Sequence, residues 1–208
     1  MDQINDKLKL HYFLSLPNNI ENNRDYPLIV FLHGVNQRGN DTKLLKSSGF
    51  PRSLHNITET PFIIFSPQCP AGLFWNMITD AIKALLDEII SKNPVDPKRV
   101  YLIGASMGGY GAWDLAIKFP ERFAAVVPIC GGWAPEQAYI LKNVPVWAFH
   151  GAEDDIVPLK ETLNMVEALK KHGGKVELTV YPDAGHDIGT ITYNNPLLYE
   201  WLLRHKIM

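Results

Sequence analysis

The chain has 208 residues, 46% of them hydrophobic and 20% charged, with a formal net charge of −2. That length suits one domain (1–208) with a sizeable core, and that balance excludes a disordered or fibrous chain. The slight negative charge argues against a nucleic-acid surface, and no apolar stretch approaches the roughly 18 residues that span a bilayer.

The elements are predicted as follows. Residues 8–16 mix alternation with aromatics and stop at Pro17, as an edge strand does. A polar loop, 18–25, leads to the continuous apolar run 26–32, a strand buried on both faces that ends at His33-Gly34. Residues 35–61 have little periodicity and contain Gly39, Gly49 and Pro51, which predicts a long connection with one short helix. It is too polar to form an apolar lid. The next buried strand is 62–65, closed by Ser66 to Pro70.

Within 80–92, Ile82, Leu85, Leu86, Ile89 and Ile90 repeat with helical period on one face. A strand at 100–103 then meets a helix at 107–118, which ends before Pro120. Strands are predicted at 123–130, before Gly131-Gly132-Trp133, and at 144–149, before a second His-Gly pair, His150-Gly151. A helix from 159 should turn Leu159, Leu163, Val166 and Leu169 inward and stop at Gly173-Gly174. A strand at 175–181 and a helix begun by Asn195-Pro196 complete the chain. Strands alternating with helical segments imply an α/β fold: a mainly parallel, doubly wound sheet with helices on both faces and reactive groups at the strand carboxyl ends.

The chemistry centres on Gly104-Ala105-Ser106-Met107-Gly108, a G-x-S-x-G pattern placed where a strand turns into a helix. This is the arrangement of a nucleophile elbow, whose serine stands exposed on a strained turn. A serine hydroxyl needs a base to take its proton, and the base needs an anion to hold its tautomer. His186, in a loop after the last strand, is the candidate base. Asp154 is the favoured acid, with Asp155, Asp183 and Asp187 as alternatives. Two backbone N–H groups must face the oxyanion. Met107, after the nucleophile, and Val35, in the turn after the strand 26–32, are the candidates. His33 and His150 each precede a glycine at a strand end, where a turn role suffices. Phe74, Trp75 and Trp133 lie in loops after strands and are candidate walls of an acyl or aryl pocket, or parts of the core.

Two cysteines, Cys69 and Cys130, form no C-x-x-C pair, and the seven histidines show no metal-ligand spacing. No metal and no cofactor are expected. The N-terminal residues include acids and no apolar run, so no signal peptide is read and a cytoplasmic location is expected.

Taken together, Leu32-His33-Gly34, Ser66 to Pro70, Gly104 to Trp113, Pro128 to Gly132, His150 to Asp154 and Tyr181 to His186 resemble the α/β-hydrolase superfamily. More narrowly, they are similar to the carboxylesterase, feruloyl-esterase and predicted-peptidase group related to dienelactone hydrolases. The resemblance runs from about residue 26 onward. It implies an α/β-hydrolase fold and a triad of Ser106, Asp154 and His186, since the group's H-G-x-x-D pattern falls on His150 to Asp154; the strands and helices already use most of the 208 residues, so no cap is expected. Similar proteins often read H-G-x-G-E-R-G where this one has His33-Gly34-Val35-Asn36-Gln37-Arg38-Gly39, so Asn36 and Gln37 depart from the pattern. The expected activity is hydrolysis of a small-molecule ester, short-chain or aryl, through an acyl-enzyme. A serine peptidase and a non-catalytic ligand-binding module are the competing readings.

Overall fold

The computed structural model describes residues 10–17, 20–21, 24–47, 50 and 62–208. Among them seven strands form one sheet: β1 (Tyr12–Ser15), β2 (Tyr26–Leu32), β3 (Ile63–Pro67), β4 (Val95–Ala105), β5 (Ala125–Ile129), β6 (Val146–Gly151) and β7 (Val176–Tyr181). Their spatial order is β1-β3-β2-β4-β5-β6-β7. Every neighbouring pair is parallel except β1 with β3.

All seven residues of β2 are buried, as are all five of β5, because helices cover both faces of a parallel sheet. Alternation along β2 sends Leu28, Val30 and Leu32 to one face and Ile29 and Phe31 to the other. The first face packs on α2 (Thr79–Lys92), α3 (Met107–Lys118) and α4 (Leu159–Lys171) through Ile82, Leu86, Trp113, Leu115, Val166 and Leu169. The second packs on α5 (Gly189–Tyr193) and α6 (Pro196–Leu203) through Tyr193, Leu198, Trp201 and Leu202. No helix of the described residues is long and apolar enough to cross a membrane.

Several boundaries differ from expectation, each for a tertiary reason. The strand predicted to close at Ser66 continues to Pro67, because β1 pairs with it from Ser15↔Ile64 to Tyr12↔Pro67. β4 begins at Val95 rather than residue 100, since Tyr26 pairs with Val95 across a register shift. β6 runs on through His150 and Gly151, which pair with Val180 and Tyr181. In α4 the buried residues are Thr162, Met165, Val166 and Leu169, not Leu159 and Leu163. Thr162 turns inward because its hydroxyl has buried partners, described below. Of the long connection, the described part holds a 3₁₀ turn (Val35–Gln37) and α1 (Lys43–Ser47). Its remainder in 48–49 and 51–61, with the start of the predicted first strand, lies outside the described residues.

Candidate active site

Ser106 sits between β4 and α3 with φ 56°, in the left-handed region that costs a side chain about 1–3 kcal/mol. The fold holds it there. Its N–H donates to Ile129 O at 2.8 Å, and its carbonyl accepts from the N–H of Gly109 and Tyr110 at 2.7 and 3.1 Å. The glycines of the motif are needed for close approach. A Cβ on Gly108 would stand 1.9 Å from Leu32 O, and one on Gly104 would stand 1.9 Å from Gly108 O.

The structure brings Ser106, His186 and Asp154 into one hydrogen-bonded line. Ser106 Oγ lies 2.8 Å from His186 Nε2, and His186 Nδ1 lies 2.7 Å from Asp154 Oδ2. A carboxylate only accepts, so Nδ1 carries the hydrogen and Nε2 is left free to accept the serine proton. The Asp154 side chain is 0% exposed and that of His186 19%. Burial by itself would raise the Asp154 pKa. The hydrogen bonds from Val157 N–H, His186 and Ile156 N–H outweigh it and hold the carboxyl below its usual range. Asp155, Asp183 and Asp187 are exposed, and Asp187 lines the cavity in front of Ser106.

The loop carrying His186 is placed by β6. Glu153 N–H donates to Ala184 O at 2.9 Å, and Ala152 N–H donates to Tyr181 O at 2.9 Å. A Cβ on Gly151 would stand 2.1 Å from Gly185 O, so the bare backbone at Gly151 lets this loop pass. A Cβ on Gly185, by contrast, would meet only Glu153 O, at an ordinary 3.7 Å.

Val35 and Met107 are the first residues of their helical turns, so neither N–H has a carbonyl one turn back to bond. His33, beside Val35, does more than occupy a turn. Its Nδ1 lies 2.6 Å from Gly34 O and must donate, while Nε2 accepts from Cys69 N–H at 3.0 Å. Burial, which exceeds the opposing effect of that Gly34 bond and is joined by the Arg38 charge, lowers the His33 pKa to about 4. His150 is likewise buried and bonded at both ring nitrogens, to Thr162 Oγ1 at 2.8 Å and Val157 O at 2.9 Å. The repeated His-Gly at two strand ends is the sequence signal that a simple turn reading passes over.

Two cavities lie beside Ser106 and Met107. One of about 860 Å³ is lined by Ser106, His186, Val35, Gln37, Cys130 and Thr190, among others. The second, about 300 Å³, gathers all three predicted pocket residues, Phe74, Trp75 and Trp133, with Met107 and Tyr110. Trp75 is also a brace, buried and donating from Nε1 to His33 O at 2.9 Å.

Among the described residues, Cys130, His150 and Asp154 bring one possible metal ligand each within 4.8 Å of one another. The ring and carboxylate are already engaged in the hydrogen bonds above. Burial, together with the Asp154 charge, pushes the Cys130 thiol up to about 12, so it remains protonated and donates to His186 O at 3.5 Å.

Residues 69–189 match the dienelactone hydrolase family. The chain belongs to that family. The chain is also similar to the bifunctional acetylxylan esterase/xylanase XynS20E of Neocallimastix patriciarum, 24% identical over 190 residues, which are 89% of this chain and 27% of that protein. An Escherichia coli (strain K12) protein named as a carboxymethylenebutenolidase is 30% identical over 132 residues, 58% of this chain and 49% of its own. The chain thus spans only part of these curated relatives. A crystal structure of a thermostable esterase superposes with TM-score 0.83 at 31% identity, covering 94% of this chain and 59% of that one. The sheet order and flanking helices are those of the α/β-hydrolase fold.

Proposed function

We propose that this member of the dienelactone hydrolase family is a serine carboxylesterase working through an acyl-enzyme. The observation that carries the reading is the line from Ser106 Oγ through His186 to Asp154 Oδ2, with bonds of 2.8 and 2.7 Å. In the reaction, His186 Nε2 takes the proton of Ser106 as Oγ attacks the ester carbonyl. Asp154 keeps His186 in the Nδ1–H tautomer and stabilises the imidazolium that forms. The N–H groups of Val35 and Met107 bind the oxyanion. Collapse of the tetrahedral intermediate expels the alcohol, which receives its proton from His186 Nε2. Water, deprotonated by the same nitrogen, then attacks the acyl-enzyme, and the acid leaves as Oγ regains a proton.

The substrate is a short-chain or aryl ester. The cavity walled by Phe74, Trp75 and Trp133 holds about 300 Å³, at the small end of ligand pockets, which run from about 300 to 1,000 Å³. An aryl group or a short acyl chain fills it. A long acyl chain would leave methylenes in water that burial would otherwise stabilise by about 0.8 kcal/mol each. Measuring kcat/KM along p-nitrophenyl acetate, butyrate, octanoate and palmitate, with an aryl acid ester alongside, tests this. The expected maximum is at acetate, butyrate or the aryl ester, and a maximum at palmitate would overturn it. The names of two similar proteins, an acetylxylan esterase and a thermostable esterase, support ester chemistry.

A further inference from the structure

We propose that His150 is a positioning residue for Asp154: it holds the carbonyl of Val157, whose N–H donates to the carboxylate that orients His186. This rests on the serine-hydrolase reading above. His150 Nε2 lies 3.2 Å from Asp154 Oδ2, the oxygen that accepts from His186 Nδ1 at 2.7 Å. The other oxygen, Oδ1, accepts from the N–H groups of Ile156 at 3.0 Å and Val157 at 2.8 Å. Three N–H donors therefore hold the carboxylate, and one of them, Val157, is itself held by its carbonyl, which accepts from His150 Nε2 at 2.9 Å.

Proton counting gives His150 its role. Nε2 faces two groups that can only accept, Asp154 Oδ2 and Val157 O at 2.9 Å, so Nε2 carries a hydrogen. Nδ1 faces the Thr162 hydroxyl at 2.8 Å. That hydroxyl also lies 2.8 Å from Gly131 O, which has a further donor in Trp113 Nε1 at 3.2 Å. Thr162 can therefore turn its single hydrogen to Nδ1 without stranding Gly131 O. The chain from Thr162 through His150 to Val157 anchors the acid loop to α4 and to the turn after β5. It explains why Thr162 occupies an inward position on α4. It is the same logic by which groups behind a metal ligand fix that ligand's orientation and tautomer.

The test uses the full chain and p-nitrophenyl acetate, with wild type, His150→Leu, His150→Gln and Thr162→Val. For His150→Leu we expect kcat to fall by about 10–100-fold with KM within about threefold, the size of effect seen when such supporting groups are removed. His150→Gln, whose amide N–H reaches about as far as Nε2, should recover to within about fivefold of wild type. Imidazole ¹⁵N NMR of the wild type should show a hydrogen on His150 Nε2. If His150→Leu does not fold, Thr162→Val carries the kinetic test, with kcat expected to fall several-fold. A folded His150→Leu with wild-type kcat, a glutamine variant no better than leucine, an unchanged kcat in Thr162→Val, or a bare His150 Nε2 would each overturn the proposal. Wild type inert toward every ester would instead defeat the serine-hydrolase reading, and the NMR result would still decide whether His150 Nε2 donates to Val157 O.

Discussion

The indole N–H of Trp75 donates to the carbonyl of His33 at 2.9 Å, joining two loops 42 residues apart. With the Cys69 N–H on the His33 ring, this bond pins the turn that presents Val35 to Ser106. Trp75→Phe keeps the ring in the cavity wall but leaves a buried carbonyl without that donor. It is expected to lower the unfolding free energy by about 1–3 kcal/mol in urea titration. It should also lower kcat more than it raises KM. An increase in KM alone would mean that Trp75 acts only as a substrate wall.

His33 makes stability depend on pH. Its folded pKa is depressed to about 4 from 6.5, so below pH 6.5 the unfolded chain binds a proton that the folded chain refuses. The stabilising contribution is full above pH 6.5 and is lost as pH falls toward 4, by at most about 3 kcal/mol. Denaturant titrations at pH 7.5 and pH 4.5 on wild type and His33→Asn check this. The wild type should lose more stability on acidification than the variant, although the variant starts lower, and equal losses would contradict the assignment.

Gly151 and Gly185 offer a contrast within the loop that carries His186. Gly151→Ala places a Cβ 2.1 Å from the Gly185 carbonyl, whereas a Cβ at Gly185 meets Glu153 O at 3.7 Å, an ordinary contact. Gly151→Ala is expected to cost about 3 kcal/mol or to displace His186 and cut kcat, while Gly185→Ala stays within about 1 kcal/mol of wild type. Thermal melts and esterase assays on the two variants separate them.

Asp154 and Asp155 are adjacent in sequence but only Asp154 is buried against His186. Asp154→Asn should reduce kcat by about 10⁴, the loss known for the equivalent change in a serine protease triad, and Asp155→Asn by less than about threefold. Similar losses in both would move the orienting role off Asp154.

The elbow was legible in the sequence because its signal is local, four β-prone residues, a serine between glycines and a helix stopped by Pro120, although Ile129 and Leu32 help to hold it. The sheet was legible for a related reason, since continuous apolar runs such as 26–32 occur where both faces are covered. What was not legible depends on contacts distant in sequence. Thr162 looks like a surface residue until His150 and Gly131 are placed beside it. Gly151 looks like a turn glycine until the 184–185 carbonyls cross it. The walls of the smaller cavity come from three separate stretches, near 74–76, 107–111 and 133, which only the βαβ crossovers bring together.

If Ser106 is the residue that becomes acylated, an active-site-directed phosphonate will label it. Incubating the chain with a p-nitrophenyl alkylphosphonate, digesting it and locating the adduct by mass spectrometry reads the nucleophile without assuming a natural substrate. One adduct per chain is expected, on Ser106, formed in step with loss of esterase activity and absent from Ser106→Ala, which melts close to wild type. An adduct on Cys130, or full activity in Ser106→Ala, would contradict it.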